Sequence, residues 1–148
     1  TGFIIPGEKA IVLVVSSAED ARKARLELSR IGFDNVLGYV KANALRQTEK
    51  LPQVSPEELK ASLKNNGPLV VDVRTPSEWQ SNHIEGARHL PLSTFAQRAA
   101  ELPNDCRIAV ICGSGYRSSV ASSLLQSRGY KEVENVAGGM NAYMEPGN

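Results

Sequence analysis

Three short apolar runs constrain this chain most: "AIVLVV" (10–15), "LVVDV" (69–73) and "RIAVIC" (107–112). Each is the length of a strand and carries no alternation of polar residues, so each must be buried on both faces. Helical periods lie between them. Ala18–Ile31 places Ala21, Ala24, Leu28 and Ile31 on one face. Ser55-Pro-Glu-Glu58 is a capping box with proline at the first helical position, opening a helix to about Leu63. Thr75-Pro-Ser-Glu78 repeats that signature for a short helix carrying Trp79. Further helices are expected over Ser93–Leu102 and Ser118–Ser127, with a last strand at Val133–Val136 and a helical turn after Gly138-Gly139. From Val54 onward strands and helices alternate, which is the pattern of an α/β fold. The expectation is an open, mostly parallel five-stranded sheet with helices on both faces.

In such sheets the site lies beyond the carboxyl ends of the strands. Cys112 ends a strand and falls at that edge, while Cys106 falls at the opposite edge. At about 3.3 Å per residue the two lie ~20 Å apart and cannot bridge. Two free thiols fit a reducing, cytoplasmic setting. The chain of 148 residues, 41% apolar and 22% charged, has ordinary globular composition. A net charge of +1 supplies no basic stripe, which argues against nucleic-acid binding. The longest apolar run is far short of the roughly 20 residues of a membrane span. The start at Thr1, with neither methionine nor a charged-then-apolar leader, reads as a processed or truncated terminus.

A shift of 97 residues aligns Ile11 with Ile108, Ser17 with Ser114, Ala24 with Ala121, Leu28 with Leu125, Gly32 with Gly129 and Val36 with Val133. Residues 1–40 thus read as half of a second unit, strand–helix–strand, followed by a polar linker over 41–53 and a complete domain over 54–148. In the early copy Val15 stands in the place of Cys112, and Glu19-Asp20 in the place of Tyr116-Arg117. Valine is no nucleophile and two carboxylates repel an anion, so that copy is expected to be inactive.

The stretch "CGSGYRSS" (112–119) holds three devices that lower a thiol pKa from its reference near 8.5. Gly113 and Gly115 allow successive N–H groups to point into one concavity. The helix that begins near Arg117 presents its positive end. Arg117 adds a permanent charge, and Ser118 is placed to cap the helix. Together these suit a sulfur anion or a persulfide.

This loop resembles the active-site loop of rhodanese-family sulfurtransferases, in which a catalytic cysteine and a closing arginine bound six residues. "VDVRTPSEW" (71–79) is similar to the family's Asp-Val-Arg … Glu-aromatic segment. "NHIEGARHLPL" (82–92) is similar to its His-Ile-x-Gly-Ala … Pro-Leu segment, with Asn82 where glycine is usual. "VAGGMNAY" (136–143) resembles its terminal Gly-Gly motif, with Tyr143 where tryptophan is frequent. The resemblance implies that Cys112 takes sulfane sulfur from thiosulfate or a low-molecular-weight persulfide and hands it to cyanide, sulfite or a thiol. Gly113, Ser114, Gly115, Tyr116, Arg117 and Ser118 would bind the substrate and the persulfide, with no cofactor and no metal. Two alternatives remain beside it: a non-catalytic module that senses an anion or redox state, and a small cysteine-dependent phosphatase. Related phosphatases have one more residue between cysteine and arginine, and here Ser118 occupies that position, which favours sulfur.

Asp72 and Arg74 either support the pocket or brace the strand end. His83 and His89 have no second ligand at helical spacing, Trp79 reads as core, and Cys106 as a spectator. Residues 1–40 resemble the degenerate unit of proteins that join a metallo-β-lactamase-fold persulfide dioxygenase to a C-terminal rhodanese. That likeness implies an N-terminal domain of this kind in a longer chain. Half a sheet is marginal alone, so this unit is expected to pack on the catalytic domain or on a second copy, making a homo-oligomer.

Overall fold

The computed structural model describes residues 5–46 and 48–145, which divide into two compact units at Lys50/Leu51. The second unit holds strands β3 (Gln53–Val54), β4 (Leu69–Asp72), β5 (Arg88–His89), β6 (Ile108–Ile111) and β7 (Val133–Val136). The first contains β1 (Ile11–Val15), α1 (Ala18–Ser29) and β2 (Val36–Lys41). The remaining helices are α2 (Pro56–Leu63), α3 (Pro76–Ser81), α4 (Leu92–Arg98), α5 (Tyr116–Ser127) and α6 (Gly139–Met144). The five strands of the second unit form one sheet in the order β3-β7-β6-β4-β5, with every pairing parallel.

Period-2 alternation in the central strands divides the core into two layers. Ile108, Val110 and Cys112 face one side with Val71 and Val73, against Phe95, Ala121 and Leu125. Ala109 and Ile111 face the other with Val70, against Leu59, Ile84 and Met140. All four residues of β6 are fully buried, which is why its sequence shows no polar alternation.

Both expected capping boxes are formed. Ser55 Oγ accepts from the Glu58 N–H at 3.2 Å while Glu58 Oε2 accepts from the Ser55 N–H at 2.9 Å. Thr75 and Glu78 do the same at the start of α3. The structure corrects other expectations. The helix placed at Ser93–Leu102 begins at Leu92 and passes into a 3-10 turn at Ala99. The helix placed at Ser118 begins two residues earlier, at Tyr116. Trp79 is half-buried rather than core: its ring stacks on His83 at 4.0 Å and on His89 at 4.8 Å between centroids.

In the first unit β1 and β2 pair in parallel, starting at Ile11↔Val36. The β6–β7 pairing starts at Ile108↔Val133, the same pair shifted by 97 residues. Gly32 and Gly129, also 97 apart, both take the left-handed conformation, at φ 81° and 90°. Beyond the first pair a bulge shifts the β1–β2 register. Val12 and Val14 are each 55% exposed, so the expectation that this run is buried on both faces is corrected: one face of β1 is open.

Candidate active site

Cys112 directly follows β6, and the chain then turns sharply. Gly115 adopts φ 91°, a conformation that a side chain would strain, and it is the N-cap of α5. This turn brings the loop amides back over the sulfur. The Gly115 N–H donates to Cys112 Sγ at 3.2 Å, and Ser118 Oγ donates at 3.3 Å. The expectation that Ser118 caps the helix is thus corrected: it lies inside the first turn of α5, is fully buried, and gives its hydroxyl to the thiol. Burial pushes the Cys112 thiol up, but hydrogen bonds from the Ser118 hydroxyl and from the Ser118, Ser114 and Gly115 amides outweigh it, so the net shift is downward.

Cys112 also packs within the first core layer and has no exposed surface. This thiol is therefore a core residue and a hydrogen-bond acceptor at once. Tyr116, 78% exposed, stands on the outer rim.

From below, α6 fixes the start of the loop. The Met140 N–H donates to the Cys112 carbonyl at 2.7 Å, and the Asn141 N–H to the Gly113 carbonyl at 3.0 Å. Gly139, at φ 60°, permits this approach, since a Cβ there would lie 2.4 Å from the Cys112 carbonyl oxygen.

Arg117 folds back along Gly113, and its guanidinium is held by a residue with no site role expected from sequence. Arg117 Nη1 donates to Glu78 Oε2 at 2.8 Å and Nη2 to Oε1 at 2.6 Å, a bidentate pair. Thr75 Oγ1 donates to the same Oε2 at 2.7 Å. Arg117 holds the Glu78 carboxyl far below the usual carboxylate range in spite of partial desolvation. The pair therefore stays ionised throughout the neutral range, and would be lost only as the pH falls through that low value.

Asp72 and Arg74 form a second pair, almost wholly buried. Arg74 Nη2 donates to Asp72 Oδ2 at 2.7 Å and to the Asn82 carbonyl at 2.6 Å, while Nη1 donates to Asn82 Oδ1 at 3.0 Å. This network ties the end of β4 to the end of α3. Asn82 is extended, at φ −165°, so its backbone has no need of glycine and its side chain adds an acceptor. His89 Nε2 bonds the Arg74 carbonyl at 2.9 Å and His83 Nδ1 the Trp79 carbonyl at 3.0 Å. Among the described residues no three His, Cys, Asp or Glu side chains gather as a metal site. No described helix is long and apolar enough to cross a membrane.

The family model of the rhodanese-like domain matches residues 55–146. Bacillus subtilis YrkF is 37% identical over 91 residues, 61% of this chain and 49% of that protein. The chain thus spans about half the length of YrkF. Thiosulfate sulfurtransferase GlpE of Pseudomonas fluorescens is 34% identical over 93 residues, 62% of this chain and 83% of that one. The solved structure of the human single-domain sulfurtransferase TSTD1 superposes with a TM-score of 0.60 at 25% identity, covering 67% of this chain and 100% of that one. A parallel sheet with a thiol and an amide-lined loop at its carboxyl edge defines the class. The chain belongs to the rhodanese-like domain family.

The hydrogen bond from Ser118 has a measurable consequence. In Ser118→Ala the anion loses one donor, so the pH at which Cys112 becomes alkylated by iodoacetamide shifts upward. An unmoved alkylation profile would show that the amides alone set the acidity.

Proposed function

We propose that the protein is a sulfurtransferase that carries sulfane sulfur on Cys112. The single observation behind this reading is the sulfur's own environment: an amide of the six-residue loop closed by Arg117 and the buried hydroxyl of the next residue, Ser118, both donate to it. Such donors stabilise a thiolate, and equally the negative charge of a persulfide. With thiosulfate, the Cys112 thiolate attacks the outer sulfur, the sulfur–sulfur bond breaks, and sulfite leaves with the electron pair. With a low-molecular-weight persulfide, the attacked bond releases a thiolate, which takes the persulfide proton. In either case Cys112–S–S⁻ remains. An acceptor such as cyanide then attacks the terminal sulfur and restores the thiolate, leaving as thiocyanate.

The rhodanese-like fold and the sulfurtransferase names of GlpE and TSTD1 support this reading. Residues 1–40 are proposed as a non-catalytic unit, since the position matching Cys112 is Val15. Intact mass after incubation with thiosulfate tests the reading: one added sulfur atom per chain is expected, removed by cyanide with release of thiocyanate. Absence of the adduct with both thiosulfate and glutathione persulfide would leave a binding module as the better description.

A further inference from the structure

The charge balance at the loop bears on which donor it accepts. Arg117 closes the loop, yet both of its terminal nitrogens are engaged by the two oxygens of Glu78. Each side chain is 35% exposed, so the pair sits at the loop's edge and not beneath it. Glu78 Oε1 lies 3.6 Å from the position a Cβ on Gly113 would occupy, which places this carboxylate directly beside the loop backbone. Thr75 holds it there through both its N–H and its hydroxyl. The other arginine of this region, Arg74, is committed to Asp72 and Asn82. An incoming anion therefore meets oriented amide dipoles, while the closing cation is already neutralised.

Donors differ in the charge they bring into this space. Thiosulfate is a compact dianion, and all of its charge must enter with the sulfur. A low-molecular-weight persulfide brings a terminal disulfur group with at most one charge, and the rest of the molecule stays outside. Attack by a thiolate on the dianion gathers three negative charges where the Arg117–Glu78 pair contributes no net positive charge. Attack on the persulfide gathers fewer. At such distances one uncompensated charge is worth a large factor in rate, reduced by solvent at a half-open edge.

We infer that Glu78 is a donor-selecting residue which, by neutralising Arg117, sets the loop to accept a low-molecular-weight persulfide in preference to dianionic thiosulfate. This rests on the sulfurtransferase reading above. It assigns Glu78 a role beyond the capping box, and Glu78→Gln separates the two. Glutamine keeps the cap, as it is equally accepted at that position, and removes the charge together with one of the two acceptors that Arg117 uses.

The full chain is loaded with thiosulfate or with glutathione persulfide, and formation of the Cys112 persulfide is followed by intact mass. The wild-type chain loads faster from glutathione persulfide. In Glu78→Gln the ratio of thiosulfate to persulfide loading rises on the order of tenfold. An unchanged ratio, or one that falls, overturns the assignment and leaves Glu78 as a positioning residue for Arg117. Salt dependence tests the wild-type chain without any variant. Thiosulfate loading that stays flat or rises with increasing salt supports a neutralised loop, while a steep fall shows a free cation and overturns the inference. The outcomes are distinguishable, since a wild-type chain that loads from neither donor refutes sulfur transfer itself, whereas loading with an unmoved ratio refutes only the role of Glu78.

Discussion

Replacing Cys112 by serine is expected to abolish the proposed sulfur transfer, with a loss on the order of 10³–10⁶-fold, and to remove the mass adduct. The reason is chemical rather than structural. A serine hydroxyl is hardly ionised at neutral pH, and an oxygen–sulfur bond does not provide the labile terminal sulfur that an acceptor removes. The fold should tolerate the change, because an oxygen can still accept the hydrogen bonds that Gly115 and Ser118 now give to sulfur. Unfolding free energies of the variant and the parent are expected to agree to within about 1 kcal/mol, at the small end of single-substitution effects. Cys106→Ser supplies the contrast. That thiol is exposed and precedes β6, whereas Cys112 follows it. Its loss should leave both the adduct and thiocyanate formation intact. Thiocyanate formed at parental rate by Cys112→Ser, or an adduct that persists there and vanishes in Cys106→Ser, would place the chemistry elsewhere.

The parts of this molecule that were legible in sequence are those fixed by local chemistry or by complete burial. β6 lies in the centre of the sheet between β4 and β7, and its four buried residues leave an uninterrupted apolar run. Ser55 and Thr75 announce their helices because a capping box is completed within four residues. By contrast, β3 and β5 have two residues each and carry no periodicity; only their neighbours in the sheet make them strands. The loop was legible in composition but not in every role. Ser118 follows the glycines as a cap would, yet Gly115 takes the cap position, which turns the serine inward to the sulfur. Glu78 was hidden for the opposite reason. Its place in a capping box accounted for it fully, and its pairing with Arg117, 39 residues away, has no local signature. Trp79 was misplaced because hydrophobicity alone cannot anticipate the two histidine rings that stack on its partly open side chain.

Arg74→Met is expected to destabilise the chain by about 3–5 kcal/mol, the range found when one member of a buried ion pair is removed. Asp72 is 1% exposed, and four of the hydrogen bonds in its vicinity come from Arg74: one from the backbone N–H and three from the guanidinium. Methionine fills similar space but leaves the carboxylate charged, buried and short of donors, and it also frees the Asn82 carbonyl. Denaturant titration of the full chain measures the loss. A value under about 1 kcal/mol would mean that water or a rearranged side chain satisfies Asp72, and that the pair is no brace. The double substitution Asp72→Leu with Arg74→Met separates charge from packing. With both charges gone, much of the lost stability should return, since a buried pair and an apolar replacement of similar volume are often close in energy. The site should nevertheless remain impaired in the double variant. Arg74 is what fastens the carboxyl end of α3 through Asn82, and α3 carries Glu78 to Arg117. Restored stability without restored sulfur loading would separate the two tasks of this arginine, holding the fold together and holding the loop's closing arginine in place.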